Sequence, residues 1–193
     1  MNRPLWGFMT MIVLTACGGE DGGDSGGGPS GYACDVSTSG VDFSESGRVE
    51  GSTDAHNTIR TEHGLPDLTW DDSLAAYAYV WATELVEKNG CTMEHRPQDG
   101  SSPCNQVHGE NLAWNSGYAE TAKGVADRWA SEVSDYDYAS NSCTAGKMCG
   151  HYTQIVWQDT THVGCAMLSC PGNAEMWVCN YNPPGNWVGQ QPY

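Results

Sequence analysis

The sequence predicts an α+β fold held together by disulfide bonds, and three observations lead to this prediction. Apolar residues recur at helical spacing in several segments before residue 135, whereas the last third of the chain is rich in β-branched and aromatic residues. A turn signal, Pro171 to Ala174, separates two of the strand-like segments. Eight cysteines after residue 30 form an even set, which is typical of a disulfide framework in an exported chain. Helices followed by an antiparallel meander favour a layered α+β arrangement over a βαβ one.

Three segments are predicted to be helical. The first covers residues 52–64, the second begins after Asp72 and ends at Asn89, and the third runs from about 119 to 133. The first helix has three consecutive candidates for its N-cap, which are Ser52, Thr53 and Asp54. In the third, Glu132 lies at the edge of the apolar stripe, so its carboxylate either reaches solvent or points at a buried partner.

Three segments in the last third are predicted to be strands. They cover residues 151–157, 162–169 and 175–182, where β-branched and aromatic side chains are frequent. If the last two form a hairpin around the intervening turn, Cys165 lies directly opposite Cys179. Opposed residues of antiparallel strands have the Cα separation that a disulfide bond accepts, so this pair is predicted to be a bridge.

The first 16 residues have the features of a signal peptide. An apolar run from Leu5 to Ala16 follows Arg3 and is shorter than the roughly 20 residues that span a bilayer. The run ends in Leu14-Thr15-Ala16-Cys17, which resembles the lipobox of bacterial lipoproteins. Cys17 is therefore expected to be acylated and to anchor the chain to the bacterial cell envelope or surface, outside the cytoplasm. The alternative is an ordinary secretory signal with an incidental cysteine.

The remaining chain is predicted to consist of a tether, an extension and one domain. Residues 17–33 are rich in Gly and Asp and are expected to form a flexible tether, followed by an N-terminal extension over residues 34–51. Residues 52–193 are long enough for one domain with its own core. The net charge of −16 repels phosphate backbones, so nucleic acid is not an expected partner.

Four sequence blocks in this domain resemble the signature blocks of the CAP superfamily, which comprises the cysteine-rich secretory proteins, antigen 5 and the plant pathogenesis-related 1 proteins. The blocks lie at residues 56–66, 109–114, 150–157 and 179–186, in the order that the family has. The resemblance covers residues 52–193. It implies a three-layer α-β-α sandwich with a central antiparallel sheet.

The resemblance also implies a central cavity lined by two histidines and two glutamates. Matched block by block, these residues are His95, Glu110, Glu132 and His151. They could bind a divalent cation such as zinc, carry out acid–base chemistry, or form a polar network that stabilises the fold. Arg96 follows His95 where the family commonly has Ser, which predicts a more cationic cavity rim.

The family implies the bridges Cys91–Cys170, Cys143–Cys149 and Cys165–Cys179, the last in agreement with the hairpin register. Cys34 and Cys104 remain, and they are predicted to pair and to tie the end of the tether to the domain. The tryptophans Trp114, Trp129 and Trp157 are expected in the core. Two further expectations concern polar residues: Asn57 is expected to hold loop backbone through its amide, and His63, His108 and His162 are expected to face solvent.

The function expected from these observations is non-enzymatic binding of a sterol, a fatty acid or another hydrophobic small molecule. A loop with Tyr136, Tyr138, Asn141 and Cys143 resembles the sterol-binding loop of several family members; the alternative is an ordinary loop anchored by aromatic residues. Two other functions remain open. One is a metal-dependent hydrolase or protease with Glu110 or Glu132 as base, and the other is a surface module that binds another protein.

Overall fold

The computed structural model describes residues 32–100 and 102–193. The expected signal peptide, the acylated Cys17 and most of the tether lie outside the described residues. The helices are α1 (Ser52–Glu62), α2 (Asp72–Lys88), α3 (Ala122–Ala130) and α4 (Gly150–Ile155), with 3-10 turns at Gly47–Val49 and Ser131–Asp135. The strands are β1 (Thr69–Trp70), β2 (Gly109–Ser116), β3 (Tyr136–Asp137), β4 (Ser142–Cys143), β5 (His162–Cys170) and β6 (Ala174–Asn182). None of the helices in this part of the chain combines the length and the apolar character needed to cross a membrane.

The main sheet has the strand order β1-β5-β6-β2, and β3 pairs with β4 in a separate two-stranded ribbon. Strands β5, β6 and β2 are antiparallel, whereas the two-residue β1 runs parallel to β5. The expected antiparallel sheet is therefore mixed at one edge. The other edge is β2, which the sequence analysis did not identify as a strand.

Alternate side chains of the sheet enter two separate apolar cores, as the period of a strand requires. On one face Leu112, Ala166 and Val178 pack with Trp81 and Leu85 of α2. On the opposite face a second group packs together, with members from the sheet and from α1, α3 and α4: Ala113, Val163, Trp177, Ile59, Val125, Trp129 and Ile155. Helices thus cover both faces of the sheet, which confirms the α+β class and the α-β-α layers.

Two local expectations were wrong. Residues 151–157 were expected to be a strand because they are rich in β-branched and aromatic residues, yet most of this segment is α4. Helix α1 begins after Gly51, which has a φ of 80°, so none of the three expected residues is its N-cap; Glu45 Oε1 instead accepts from the backbone N–H of Thr53 at 2.6 Å. Asp71, by contrast, caps α2 by accepting from the backbone N–H groups of Ser73 and Leu74.

The guanidinium of Arg60 connects α1 to the second half of the domain. Arg60 is fully buried and donates to four backbone carbonyls, those of Pro66 (2.7 Å), Ile155 (2.8 Å), Trp157 (2.8 Å) and Thr160 (3.1 Å). Burial lowers the pKa of Arg60. Its hydrogen bonds fix the end of α4 and the loop that leads to β5, because each carbonyl they satisfy would otherwise be a buried acceptor without a partner.

Four disulfide bonds join the described part of the chain, and they are the four pairs named above. Their Cα–Cα separations are 5.4 Å for Cys34–Cys104, 6.0 Å for Cys91–Cys170, 5.8 Å for Cys143–Cys149 and 4.1 Å for Cys165–Cys179. Cys165 and Cys179 are register partners on β5 and β6. The Cys34–Cys104 bridge attaches the N-terminal extension to the loop before β2.

Substituting Gly164 tests the contact between the sheet and α2. A Cβ at this position would collide with the backbone of Asp71, Leu74 and Ala75, none of which can move without moving the helix. We expect Gly164→Ala to lower the free energy of unfolding by about 1–3 kcal/mol, the usual cost of overpacking. Urea unfolding measures the free energy of unfolding of the wild type and of the variant. Gly150→Ala is the control, because its Cβ would meet only Asn186 Nδ2 at 3.9 Å; equal effects of the two substitutions would contradict the packing.

Candidate functional site

His151 and Glu132 form the first of two histidine–glutamate pairs. His151 lies in the first turn of α4 and its Nδ1 is 2.6 Å from Glu132 Oε1. The second oxygen of Glu132 accepts from the backbone N–H groups of His151 (3.0 Å) and Tyr152 (3.2 Å). These donors are among those that the first turn of a helix leaves without intrahelical partners. Glu132 thus orients the imidazole and caps α4 at once, and its carboxylate does not simply extend into solvent.

His95 and Glu110 form the second pair. His95 Nδ1 is 2.9 Å from Glu110 Oε1, which also accepts from the backbone N–H of Arg96 at 3.1 Å. The other oxygen of Glu110 is 3.4 Å from Asn180 Nδ2 and 3.6 Å from Arg96 Nε. The side chain of Glu110 is 0% exposed and that of His95 is 34% exposed. The glutamate is therefore buried behind a histidine that reaches the surface.

The two pairs have the same hydrogen-bond chemistry. A carboxylate can only accept, so each histidine donates its Nδ1–H, and Nε2 is the nitrogen left for another ligand. Within residues 32–100 and 102–193, no group of three or more His, Cys, Asp or Glu side chains is arranged to hold one metal ion. The carboxylates are engaged with the Nδ1 atoms, so the groups left free to contact a ligand are the two Nε2 atoms.

Asn111 links the two pairs through β2. It follows Glu110 in the strand, and its Nδ2 donates to the backbone carbonyl of His151 at 3.0 Å and to the Tyr181 hydroxyl at 3.1 Å. The Tyr181 hydroxyl donates to His56 Nε2 (2.8 Å), and His56 Nδ1 donates to the Ser52 carbonyl (2.7 Å). A buried chain of hydrogen bonds therefore runs from the first turn of α4 through the sheet to α1.

Burial holds this chain in its neutral form. It lowers the pKa of His56 to about 4 and raises the pKa of Tyr181 well above its usual value. Trp129 of α3 lies between the network and the site, since its ring is stacked 5.9 Å from that of His151 and lies edge-on to His56. Sequence analysis did not assign Asn111, Asn180 and Tyr181. The sequence could have indicated them, because a polar side chain at a buried position of a strand needs an internal hydrogen-bond partner.

Arg96 does not form a cationic rim. It is buried, with its guanidinium 3.6 Å from the centre of the Tyr77 ring, and it donates to the Tyr77 carbonyl. The rim was expected because Arg96 follows His95 where the family commonly has Ser. Here the Tyr77 ring, the carbonyls of Tyr77 and Cys104 and the charge of Glu110, 3.6 Å from Nε, compensate the buried guanidinium.

The expected ligand-binding loop is a hairpin whose side chains contact the C-terminal segment. The Tyr136 hydroxyl donates to Asn141 Oδ1 (2.8 Å), and Asn141 Nδ2 donates to the Gln190 carbonyl (2.8 Å). The Tyr138 ring stacks on Tyr193 at 4.9 Å, and its hydroxyl donates to the Tyr193 carbonyl. Cys143 ends the hairpin and bonds Cys149 immediately before α4. The loop is therefore connected directly to the helix that carries His151.

The remaining expectations had mixed outcomes. Trp129 and Trp157 are buried as expected, but Trp114 is 44% exposed because it lies on the edge strand β2. The Asn57 amide does bind loop backbone, since it donates to the Leu68 carbonyl and accepts from the Leu68 N–H. The other three histidines are half-buried rather than facing solvent: His63, His108 and His162.

Comparison with known proteins agrees with the architecture. The family model described as the cysteine-rich secretory protein family, CAP, matches residues 53–181. Pathogenesis-related protein 1C of Nicotiana tabacum is 43% identical over 145 residues, which cover 72% of this chain and 77% of the tobacco protein. A pathogenesis-related protein of the PR-1 type from Sambucus nigra is 40% identical over 146 residues, or 72% and 78% of the two chains.

Two solved structures have a similar fold. Venom allergen-like protein 4 of Schistosoma mansoni superposes with a TM-score of 0.58 at 26% identity, covering 74% of this chain and 91% of that one. NaASP2, solved with Zn2+, superposes with a TM-score of 0.59 at 21% identity, covering 75% and 83% of the two chains.

The buried His56 predicts a pH dependence of stability. Its pKa is about 4 in the fold against 6.5 when exposed, so the unfolded chain binds the proton more readily. The stability that this group contributes is complete above about pH 6.5 and decreases as the pH falls towards 4, by about 1.4 kcal/mol per pH unit. Urea unfolding between pH 7 and pH 4 measures the free energy of unfolding of the wild type and of His56→Gln. We expect the difference between the two proteins to narrow as the pH falls; parallel curves would show that His56 is not buried as a neutral base.

Proposed function

Because this chain belongs to the cysteine-rich secretory protein family, we propose that it is an extracellular CAP-domain protein whose His95 and His151 bind a divalent cation such as zinc. The observation that carries the proposal is that a glutamate holds the Nδ1 of each histidine. The four disulfide bonds agree with an oxidising location outside the cytoplasm.

The support for metal binding is chemical. Histidines that bind metals usually donate their other ring N–H to a carboxylate or carbonyl, which fixes the tautomer and makes the binding nitrogen more basic. Glu110 and Glu132 supply this partner to both histidines, and backbone N–H groups in turn orient each glutamate. Two imidazoles leave coordination positions for water or for a ligand, as open zinc sites do. The presence of Zn2+ in the NaASP2 structure agrees with this proposal.

We also propose that the domain is attached to a membrane through an acylated Cys17. The lipobox-like sequence supports this, and the 14 residues between Cys17 and Tyr32 would give the domain a tether. The attachment would keep the domain at a membrane surface of the cell envelope.

A second candidate function is the binding of a hydrophobic small molecule, a sterol or a fatty acid. Exposed apolar side chains support it, because four of them flank the histidine–glutamate pairs in sequence: Met93, Val107, Val133 and Met148. Tyr138 in the hairpin is also 41% exposed. Such side chains could contact the apolar part of a ligand, whereas the polar groups would set its orientation.

Isothermal titration with zinc tests the metal proposal. We expect one site in the wild type, no measurable binding in His95→Ala or His151→Ala, and roughly 10- to 100-fold weaker binding in Glu132→Gln, because the glutamate acts on the metal through its histidine. His162→Ala is the control, since this half-buried histidine contacts Thr161 rather than the pairs. An equal loss in the control, or unchanged binding in all variants, would refute the site.

Titration with a fluorescent sterol or fatty acid tests the second candidate. We expect Tyr138→Ala to weaken saturable binding about tenfold, from the loss of one aromatic contact, while chelation and Glu110→Gln leave it unchanged. Tyr118→Ala is the control because Tyr118 is exposed outside this loop. Binding that is insensitive to Tyr138→Ala would rule out the hairpin as the binding site. A hydrolase would instead lose its activity on chelation and in Glu110→Gln.

A further inference from the structure

We infer that the Cys34–Cys104 bridge and Arg96 position His95 and Glu110, so that the N-terminal extension controls the affinity of the metal site. The inference rests on the proposed metal binding, but its structural part concerns only residues of this chain. We call the set Tyr32, Cys34, Cys104 and Arg96 the N-terminal clamp.

The clamp surrounds the backbone on both sides of His95. On one side, the Tyr32 hydroxyl donates to the Glu94 carboxylate at 3.0 Å, and the Tyr32 ring packs edge-on against Trp81 at 4.8 Å. Trp81 Nε1 donates to the Glu94 carbonyl at 2.9 Å. On the other side is the buried side chain of Arg96. His95 therefore lies between two residues that contact the extension, either directly or through the bridge.

Arg96 is the element that joins the bridge to Glu110. Its Nη1 lies 3.5 Å from Cys34 Sγ and 3.4 Å from the Cys104 carbonyl, and its Nε lies 3.6 Å from Glu110 Oε2. The guanidinium also stacks over the Tyr77 ring at 3.6 Å. Movement of either cysteine would therefore be transmitted to the guanidinium, and from there to the carboxylate that orients His95.

A second buried charge, that of Glu84, also depends on the position of Cys34. The Glu84 carboxylate is 0% exposed; its Oε1 accepts from the Cys34 N–H at 2.9 Å and from Lys88 Nζ at 3.1 Å, while its Oε2 has no hydrogen-bond partner. The negative charge of Glu84 also acts on Arg96. Release of Cys34 would remove a donor from a buried carboxylate, and such a loss is resolved by rearrangement or by entry of water. Either outcome loosens the surroundings of Arg96.

The location of the clamp makes its effect selective. Among the described residues, the clamp contacts Glu110, the partner of His95, but neither His151 nor Glu132, which are held by α4 and the 3-10 turn. A global loss of stability would disturb both histidines, whereas loss of the clamp should disturb only His95. This difference separates a positioning role from a merely structural one.

The test compares the purified wild type with Cys34→Ser/Cys104→Ser and with Arg96→Gln. Side-chain 1H–15N spectra report the tautomer of each histidine without metal, and titration with zinc reports affinity. We expect the His95 signals to change from the Nδ1–H form to a mixture of tautomers, those of His151 to stay unchanged, and zinc affinity to fall at least tenfold.

Arg48→Gln is the matched control, because Arg48 forms the equivalent ion pair with Glu175 (2.7 Å) near the opposite end of β2 and β6. Tyr32→Phe, which removes only the hydroxyl bonded to Glu94, is a milder variant that tests the same idea if the others do not fold. Unchanged His95 signals in the clamp variants, or equal changes at His151, would overturn the inference. Absence of zinc binding in the wild type would refute the metal site alone, since the tautomer spectra would still test the clamp.

Discussion

The buried carboxylate of Glu110 is the constraint on which this end of the domain depends. Its side chain is 0% exposed, and a carboxylate without water must be bound by donors on all sides. The donors come from three separate parts of the chain: the His95 ring, the Arg96 backbone and the Asn180 amide on β6. Burial of this carboxylate therefore requires both the path of residues 94–96 and the register of β2 against β6. The histidine at the surface is oriented as a consequence of burying the glutamate.

Glu132 applies the same principle at the start of α4. Its carboxylate caps α4 and holds His151, so the local structure of the helix and the orientation of the imidazole cannot be separated. The Arg60 guanidinium binds the carbonyl of Ile155 at the end of this helix, and Asn111, the first member of the chain to His56, binds the carbonyl of His151 in its first turn. Both histidines thus have rigid surroundings, although neither lies in the middle of a long helix or strand.

Much of the architecture followed from sequence pattern, because long amphipathic segments and an alternating hairpin depend mainly on local periodicity. The register that placed Cys165 opposite Cys179 is the clearest example. The pattern failed where tertiary contacts decide the structure. Residues 151–155 form a helix despite their β-branched and aromatic side chains, because Glu132 caps that helix and Arg60 binds the carbonyl of its last residue, Ile155. Arg96 and Trp114 have exposures opposite to those expected, since neither burial beside aromatic rings nor an edge strand is visible in a one-dimensional pattern.

Glutamates hold both histidines by Nδ1, and we propose that Nε2 of each histidine binds the metal. A crystal structure of the zinc-soaked protein, with anomalous data at the zinc edge, tests this most directly. We expect one zinc peak bonded to Nε2 of His95 and of His151 at about 2.0–2.1 Å, with both Nδ1–glutamate hydrogen bonds retained. A zinc ion bound to Nδ1 or to the glutamates in place of those hydrogen bonds, or a peak at other residues only, would contradict it.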